Sequence, residues 1–271
     1  MDPRTAAARF RQLHHGTAPL LLPNAWDAGS ARVIESCGAQ AIATSSAGLA
    51  WARGYADGGA FPASILLTAV SEIARVISLP LSVDMEAGYG SDPAIIAENA
   101  FALASAGAVG INLEDGADRP EVLCERIAAT KRGAARAGVD LFVNARTDVY
   151  LRGLTAPERA AEEAIARGLR YRDAGADGFF VPALVEPAAI RQVVAGVPLP
   201  LNVLVRAGLP SVAELAALGV RRVSVGSGIS SAVYGLTRRA ARRFLDGASY
   251  DAIFDGAVPY PEINALFAER R

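Results

Sequence analysis

Lysine is almost missing from this chain: Lys131 is the only one, while histidine (His14, His15) and cysteine (Cys37, Cys124) occur twice each. A Schiff-base mechanism would have a single candidate, and a histidine-built site would have to come from one N-terminal dipeptide. The cysteines have no CxxC or metal-ligand spacing and sit in apolar helical patterns, which suits a reducing compartment. Charge of one sign is lacking too. The formal net charge is -1, with acids and bases interleaved, so no basic face is available to neutralise phosphates and nucleic acid is not an expected partner. The densest basic group, Arg238-Arg239 with Arg242-Arg243, falls at helical spacing and reads as a solvated face. No apolar run approaches the ~18 residues of a bilayer span, and the N-terminus lacks a basic-then-apolar leader. No membrane association is expected, and the expected location is cytoplasmic.

Aliphatic residues are plentiful. Apolar residues make up 52% and charged residues 20% of 271, enough for a large core and too much for disorder. No linker rich in Ser, Gly or Pro divides the chain, so a single domain over residues 1–271 is expected. Short β-rich runs recur with helical segments between them: Pro19 to Leu22, Ala41 to Ser45, Leu81 to Glu86, Gly110 to Glu114, Leu141 to Arg146, Gly178 to Val181, Leu201 to Val205 and Arg222 to Val225. Each is a short apolar run of the kind buried on both faces. Gly38, Gly107, Gly175 and Gly219 each stand between a helix and the next strand, at positions that suit a left-handed helix end. Ser91-Asp92-Pro93 and Thr155-Ala156-Pro157 read as helix starts. Eight strands alternating with helices predict an α/β fold, a (β/α)8 TIM-type barrel with an N-terminal helix and a helical C-terminal tail.

In such a barrel the chemistry sits where the strands end. Those ends are polar: Thr44-Ser45-Ser46, Asp84-Met85-Glu86, Glu114-Asp115 and Asn144-Ala145-Arg146-Thr147-Asp148. Strand alternation would put Asp84 and Glu86 on one side, with Met85 facing the helices. With Glu114 they would form an all-oxygen set suited to Mg2+, and like charges so placed call for a cation. Asn24 and Trp26, after the first strand, either line the pocket or cover the rim. Trp51 and Tyr89 read as packing, though Tyr89 lies beside the acids and could shape the mouth.

These residues carry a family resemblance. Thr44-Ser45-Ser46-Ala47-Gly48-Leu49 with Gly54-Tyr55-Ala56-Asp57-Gly58, and Val83-Asp84-Met85-Glu86-Ala87-Gly88-Tyr89-Gly90, resemble second- and third-strand motifs of the isocitrate lyase/phosphoenolpyruvate mutase superfamily. Asn112-Leu113-Glu114-Asp115, Asn144 to Asp148 and Pro200-Leu201-Asn202-Val203 extend the likeness over nearly the whole chain. The resemblance implies that Asp84 anchors Mg2+ (or Mn2+), that Glu86 and Glu114 hold it largely through water, and that Asp57 lies on a gating loop. It also implies that amides around Ser45, Ser46 and Ala47 bind a substrate oxyanion, that Arg146 pairs with the substrate carboxylate, and that Asn202 lies in a substrate-binding segment. A homotetramer with swapped C-terminal helices, from Ser231 onward, is implied as well.

The chain departs from the family after the fourth strand. Lyases there carry a long loop with a Lys-Lys-Cys-Gly-His motif; here Asp115 is followed by Gly116-Ala117-Asp118-Arg119-Pro120 and a helix. Cys124 reads as a helix interior and Lys131 as a surface residue. What remains is machinery for a Mg2+-dependent carbon-carbon lyase or decarboxylase acting on a small 2-oxo or 2-hydroxy (di)carboxylate through an enolate. Tyr55, Asp57 and Glu114 are the candidate bases, and Arg146 the residue that orients the substrate. Phosphonopyruvate hydrolase- or mutase-type chemistry, and a noncatalytic 2-oxo dicarboxylate-binding protein, are the alternatives.

Overall fold

The computed structural model describes residues 2–59, 61–247 and 249–268. Among these residues nine strands, all parallel, run in the order β1-β9-β8-β7-β6-β5-β4-β3-β2: β1 Leu20–Leu22, β2 Asn24–Ala25, β3 Ile42–Thr44, β4 Leu81–Asp84, β5 Ala108–Glu114, β6 Phe142–Arg146, β7 Gly178–Phe180, β8 Leu201–Leu204 and β9 Arg222–Ser224. The first and last of that order are one barrel strand broken at Pro23, which has no N–H to give to a ladder. β1 pairs with β9 and β2 with β3. The Asn24 side chain sews the break. Its Nδ2 donates to the Thr44 carbonyl at 2.7 Å, and its Oδ1 accepts from the amides of Val225 and Gly226 at 3.0 and 2.8 Å. The fold is therefore the expected eight-stranded barrel, with its first strand in two pieces.

Helix boundaries follow local chemistry. Asp92 caps α5 (Pro93–Ser105) through the Ala94 amide at 2.8 Å. Gly38, Gly107, Gly175 and Gly219 all have the positive φ their positions require. At Thr155-Ala156-Pro157 a 3-10 turn, Pro157–Arg159, intervenes before α8 (Ala160–Asp173), and no side chain caps it. α6 (Pro120–Arg136) begins five residues after Asp115, so the loop there is short, as read. Lys131, on α6, is half-buried rather than a free surface residue: its Nζ donates to the Leu141 carbonyl at 2.8 Å and pairs with Asp177.

α1 (Pro3–Leu13) plugs the N-terminal end of the barrel. Phe10 is fully buried against Gly110 of β5, where any Cβ would meet its ring at 2.5 Å. His14 stacks on Phe142, ring centroids 4.2 Å apart, and its Nδ1 lies 2.8 Å from the Phe10 carbonyl. Burial, helped by the charge of Arg222, pushes the His14 pKa down to about 3. The unfolded chain, with a pKa near 6.5, takes up a proton that the folded chain refuses. Stability from this site is therefore intact above about pH 6.5 and is lost as pH falls toward 3, by roughly 3 kcal/mol at pH 4. Urea unfolding at pH 7 and pH 4 checks this: the His14→Phe variant is expected to lose markedly less stability between the two than the parent chain.

The tail departs from the barrel. α11 (Gly228–Leu245) buries only Ser230 among its described residues and leaves Val233, Tyr234, Leu236, Phe244 and Leu245 exposed, along with the four arginines at 238, 239, 242 and 243. α13 (Tyr260–Ala268) returns to α2 (Ala28–Ser36), where Arg32 Nε donates to the Leu266 carbonyl at 2.7 Å. An apolar groove of about 530 Å³ lies open between α2 and the start of α11, lined by Pro19, Leu21, Ile34, Cys37 and Ile229. No helix among the described residues is long and apolar enough to cross a membrane.

Candidate active site

From β4 to β9 the inward-facing residues carry even numbers, because each strand alternates and the registers there align even with even: Asp84 with Asn112, Asn112 with Asn144, Glu114 with Arg146, Arg146 with Phe180, Leu204 with Ser224; on β3 the parity changes, since Ala43 pairs with Asn24 on one side and Ser82 on the other. At the C-terminal mouth they enclose a cavity of about 220 Å³. Its lining includes Asp84, Asp57, Arg146, Ser45, Ser46 and Ala47, together with Asn24, Asn112, Ser224 and an apolar group, Leu151, Phe180, Pro182 and Leu204.

Asp84 ends β4. Its amide accepts support from below, donating to Thr44 Oγ1 at 2.9 Å, and its Oδ2 accepts the Ser46 amide at 3.2 Å. Oδ1 is buried with no hydrogen-bond partner. A buried carboxylate oxygen left bare is costly unless a cation or donor arrives. The Ser45 amide is consumed by the Ala25 carbonyl at 3.2 Å, and Ser45 Oγ caps α3 (Ser46–Trp51) through Gly48. Of the three amides expected to hold an oxyanion, one therefore belongs to the sheet and one points at Asp84. The Ala47 amide, in the first turn of α3, remains.

Glu86 does not follow the strand alternation expected of it. The chain leaves β geometry after Asp84, Glu86 adopts φ +46°, and its Oε1 accepts the Tyr89 hydroxyl at 2.8 Å. Tyr89 also has positive φ, at +56°. Such backbone strain in non-glycine residues collects where a site over-determines the chain. Burial raises the Glu86 pKa, with the charges of Asp84 and Asp57 adding to it. Glu114 meets Arg146, Oε2 to Nη1 at 2.7 Å. Its pKa is pushed up to about 8 by burial, with Arg146 opposing and Asp84, Asp148 and Glu86 reinforcing. Turned to Tyr89 and to Arg146, the two glutamates do not close with Asp84 around one point, and among the described residues no three His, Cys, Asp or Glu side chains do so.

Arg146 is held in place on two sides. Besides Glu114, its Nε and Nη2 donate to Asp148 at 2.7 and 3.1 Å, and Asp148 is itself fully buried. One N–H on each of Nη1 and Nη2 is left for a ligand. Asp115 and Asp148, read from sequence as mouth acids, are not on the cavity wall. Asp115 faces outward, among the helices. It accepts Thr147 Oγ1 at 2.7 Å, the Asp148 amide at 2.9 Å, Arg167 Nη1 at 2.9 Å and the Tyr171 hydroxyl at 2.6 Å.

Two further expected residues lie elsewhere. Tyr55 packs edge-on against Phe61, centroids 5.7 Å apart, and is not part of the cavity wall. Asn202 is fully buried beneath the cavity, its Nδ2 spent on the Val203 carbonyl and Ser224 Oγ at 2.7 and 3.0 Å. It belongs to a buried polar layer that sequence reading missed. Asn144 bridges Asn112 and Asn202 at 2.9 and 3.1 Å, and Arg222 Nη2 donates to Asn112 Oδ1 at 3.1 Å. Arg222 is fully enclosed, which lowers its pKa to about 9. Asn24 does line the cavity, whereas Trp26 and Tyr89 do not; Trp51 meets Tyr234 edge-on, as packing. Cys124, on α6, donates to the Arg170 carbonyl and has a raised pKa from burial, neither of which suits a nucleophile or acid at the mouth.

If a divalent cation enters beside Asp84, it must compete with the proton that Glu114 holds in its absence. Mg2+ affinity is therefore expected to rise with pH up to about 8 and then level off, and to lose most of that slope in Glu114→Gln. Calorimetric titration of Mg2+ alone from pH 6 to 9 reads this directly.

Residues 10–245 match the family model described as phosphoenolpyruvate phosphomutase. The uncharacterised protein Rv1998c of Mycobacterium tuberculosis is 36% identical over 264 residues, 96% of each chain. The 2-methylisocitrate lyase of Escherichia coli K12 is 33% identical over 198 residues, 68% of this chain and 64% of the lyase. A crystal structure of a candidate phosphonomutase from Burkholderia cenocepacia J2315 superposes with a TM-score of 0.81 at 43% identity, covering 88% of this chain and 98% of that one.

Proposed function

The chain belongs to the phosphoenolpyruvate phosphomutase family, within the isocitrate lyase/phosphoenolpyruvate mutase superfamily, and from that premise we propose that it is a Mg2+-dependent carbon-carbon lyase or decarboxylase acting on a small 2-oxo or 2-hydroxy acid. The observation that carries this reading is the bare, buried Oδ1 of Asp84 at the wall of a small polar cavity. Asp84 would be the one direct carboxylate ligand of a hard ion such as Mg2+ or Mn2+, which keeps most of its waters, and Glu86 and Glu114, turned to Tyr89 and Arg146, would reach it only through water. The ion supplies electron withdrawal from a chelating 2-oxo acid, which favours breaking a bond at C3.

The protein's own groups do the rest. Arg146, immobilised by Asp148 and Glu114, offers its two remaining N–H groups to the substrate carboxylate and fixes its orientation. The Ala47 amide stands where negative charge builds on the 2-oxo oxygen. Asp57, on the exposed loop after α3, is the acid on the cavity wall best placed to exchange protons with solvent. A shallow cavity of this size with a short β5 loop suits decarboxylation, in which no bulky co-product has to be protonated by a loop acid.

Incubating the protein and Mg2+ with oxaloacetate, pyruvate, 2-oxoglutarate and phosphonopyruvate, and following each by NMR, tests the reading. Loss of a carbon fragment from one of the carbon-only acids supports it. Phosphate release from phosphonopyruvate alone selects the competing phosphorus chemistry, which the likeness to a phosphonomutase favours and the absence of any lysine from the mouth opposes. Tight binding with no turnover selects a noncatalytic 2-oxo dicarboxylate-binding protein.

We further propose a homotetramer in which α11 exchanges between subunits. An 18-residue helix burying one residue beside an open apolar groove supports this. Light scattering at micromolar concentration is expected to give four chains per particle, and a monomer there would refute it.

A further inference from the structure

The chemistry above uses one half of the cavity, and the other half is carbon. Four strands around the barrel from β4, which carries Asp84, stands β8, which carries Leu204; four strands from β3, which leads into Ser46, stands β7, which carries Phe180. With Leu151 and Pro182 these form the apolar part of the lining. The wall is fixed: Ala183, next to Pro182, is the third non-glycine residue with positive φ among those described, at +69°, and Phe180 packs under the Arg146 guanidinium, 5.9 Å from ring centroid to Cζ.

Among the described residues of the lining, Arg146 is the only cation, and Asp148 already shares its charge. One substrate carboxylate can be met there. A second that persisted through the reaction would have to lie against Leu204, Phe180 and Pro182 without a partner, beside the acids Asp57 and Asp84. The space, about 220 Å³, equals that of roughly seven water molecules and suits an acid of four to six carbons.

We propose that the substrate presents an alkyl substituent, methyl to isopropyl in size, to Leu204, Phe180, Pro182 and Leu151, and carries no second carboxylate that survives the reaction. This rests on the 2-oxo acid reading above and narrows it.

Calorimetry in saturating Mg2+ with pyruvate, 3-methyl-2-oxobutanoate and 2-oxoglutarate tests it, because the three share the 2-oxo carboxylate and differ only in what reaches the far wall. The branched acid is expected to bind about 10-fold or more tighter than pyruvate, since single carbon groups in apolar pockets discriminate by 10- to 200-fold. 2-Oxoglutarate is expected to bind more weakly than pyruvate. Leu151→Arg, a substitution at an exposed rim position, is expected to raise the affinity for 2-oxoglutarate relative to pyruvate by about 10-fold. If 2-oxoglutarate binds the unaltered protein as tightly as the branched acid, the apolar-wall proposal fails while the 2-oxo acid reading stands. If none of the three binds, the 2-oxo acid reading fails and takes this proposal with it.

Discussion

Asp84→Asn is expected to abolish Mg2+ binding in the millimolar range and to cut turnover of any carbon-only substrate by roughly 10³-fold, the scale on which removal of one essential charge-stabilising group is felt. The substitution is nearly isosteric. Its amide oxygen can keep the Ser46 N–H, now 3.2 Å from Oδ2, and the backbone contact with Thr44 is untouched. What disappears is the charge beside the bare Oδ1, and with it one of the like charges that hold the pKa values of Glu86 and Glu114 above the usual carboxylate range. The metal-free variant should therefore melt no lower than the parent at neutral pH. That combination, full stability with lost metal affinity and lost turnover, separates a ligand from a structural acid. A variant that still binds Mg2+ within tenfold of the parent would remove Asp84 from the metal site.

Asp115→Ala is expected to do the opposite, costing about 3–5 kcal/mol of stability. Asp115 is fully buried and takes four donors, two of which, Arg167 and Tyr171, reach it from α8. Without it the Arg167 guanidinium keeps only Glu163 as an acid partner, and the Tyr171 hydroxyl loses its acceptor inside the protein. For a chain of this length the loss corresponds to a fall in Tm of about 10 °C. Asp115→Asn, which keeps an oxygen for Thr147 and the Asp148 amide, should fall between. Thermal unfolding of both in the absence of metal is the measurement, and a melting point for Asp115→Ala within 2 °C of the parent would mean that the network carries no net stability.

The two aspartates mark how far sequence reading reaches. Strand count, helix ends at Gly38, Gly107, Gly175 and Gly219, and the placing of the chemistry at strand ends all rest on local patterns, apolar runs and backbone chirality, which a sequence displays. Asp84 was legible because it closes a strand whose inward face is set by alternation. Asp115 was not, although the rule was at hand: one residue beyond inward-facing Glu114, it must point outward. Glu86 escaped the same rule in the other direction, since its φ of +46° ends the alternation, and nothing in Met85-Glu86-Ala87 announces that. Asn202 and Arg222 are inward-facing as parity demands, but depth below the mouth depends on how strands stagger around the barrel, which no single strand encodes. The apolar residues Phe180 and Leu204 looked like any others in the core.

The Asn24 seam gives the pocket a position in time. Its hydrogen bonds join residues 201 and 202 apart in the chain, and Ser224, Gly226 and Ser227 on the cavity wall come from the same late segment. Synthesis delivers Asp84, Glu86, Glu114 and Arg146 long before the strand that must close beside Asn24. Until residues beyond 226 have emerged, these residues stand in an unsealed sheet, wet and screened from one another, with neither the burial that raises the proton affinity of Glu86 and Glu114 nor a cavity to hold a substrate. The chain becomes chemically competent only when that late strand closes beside Asn24.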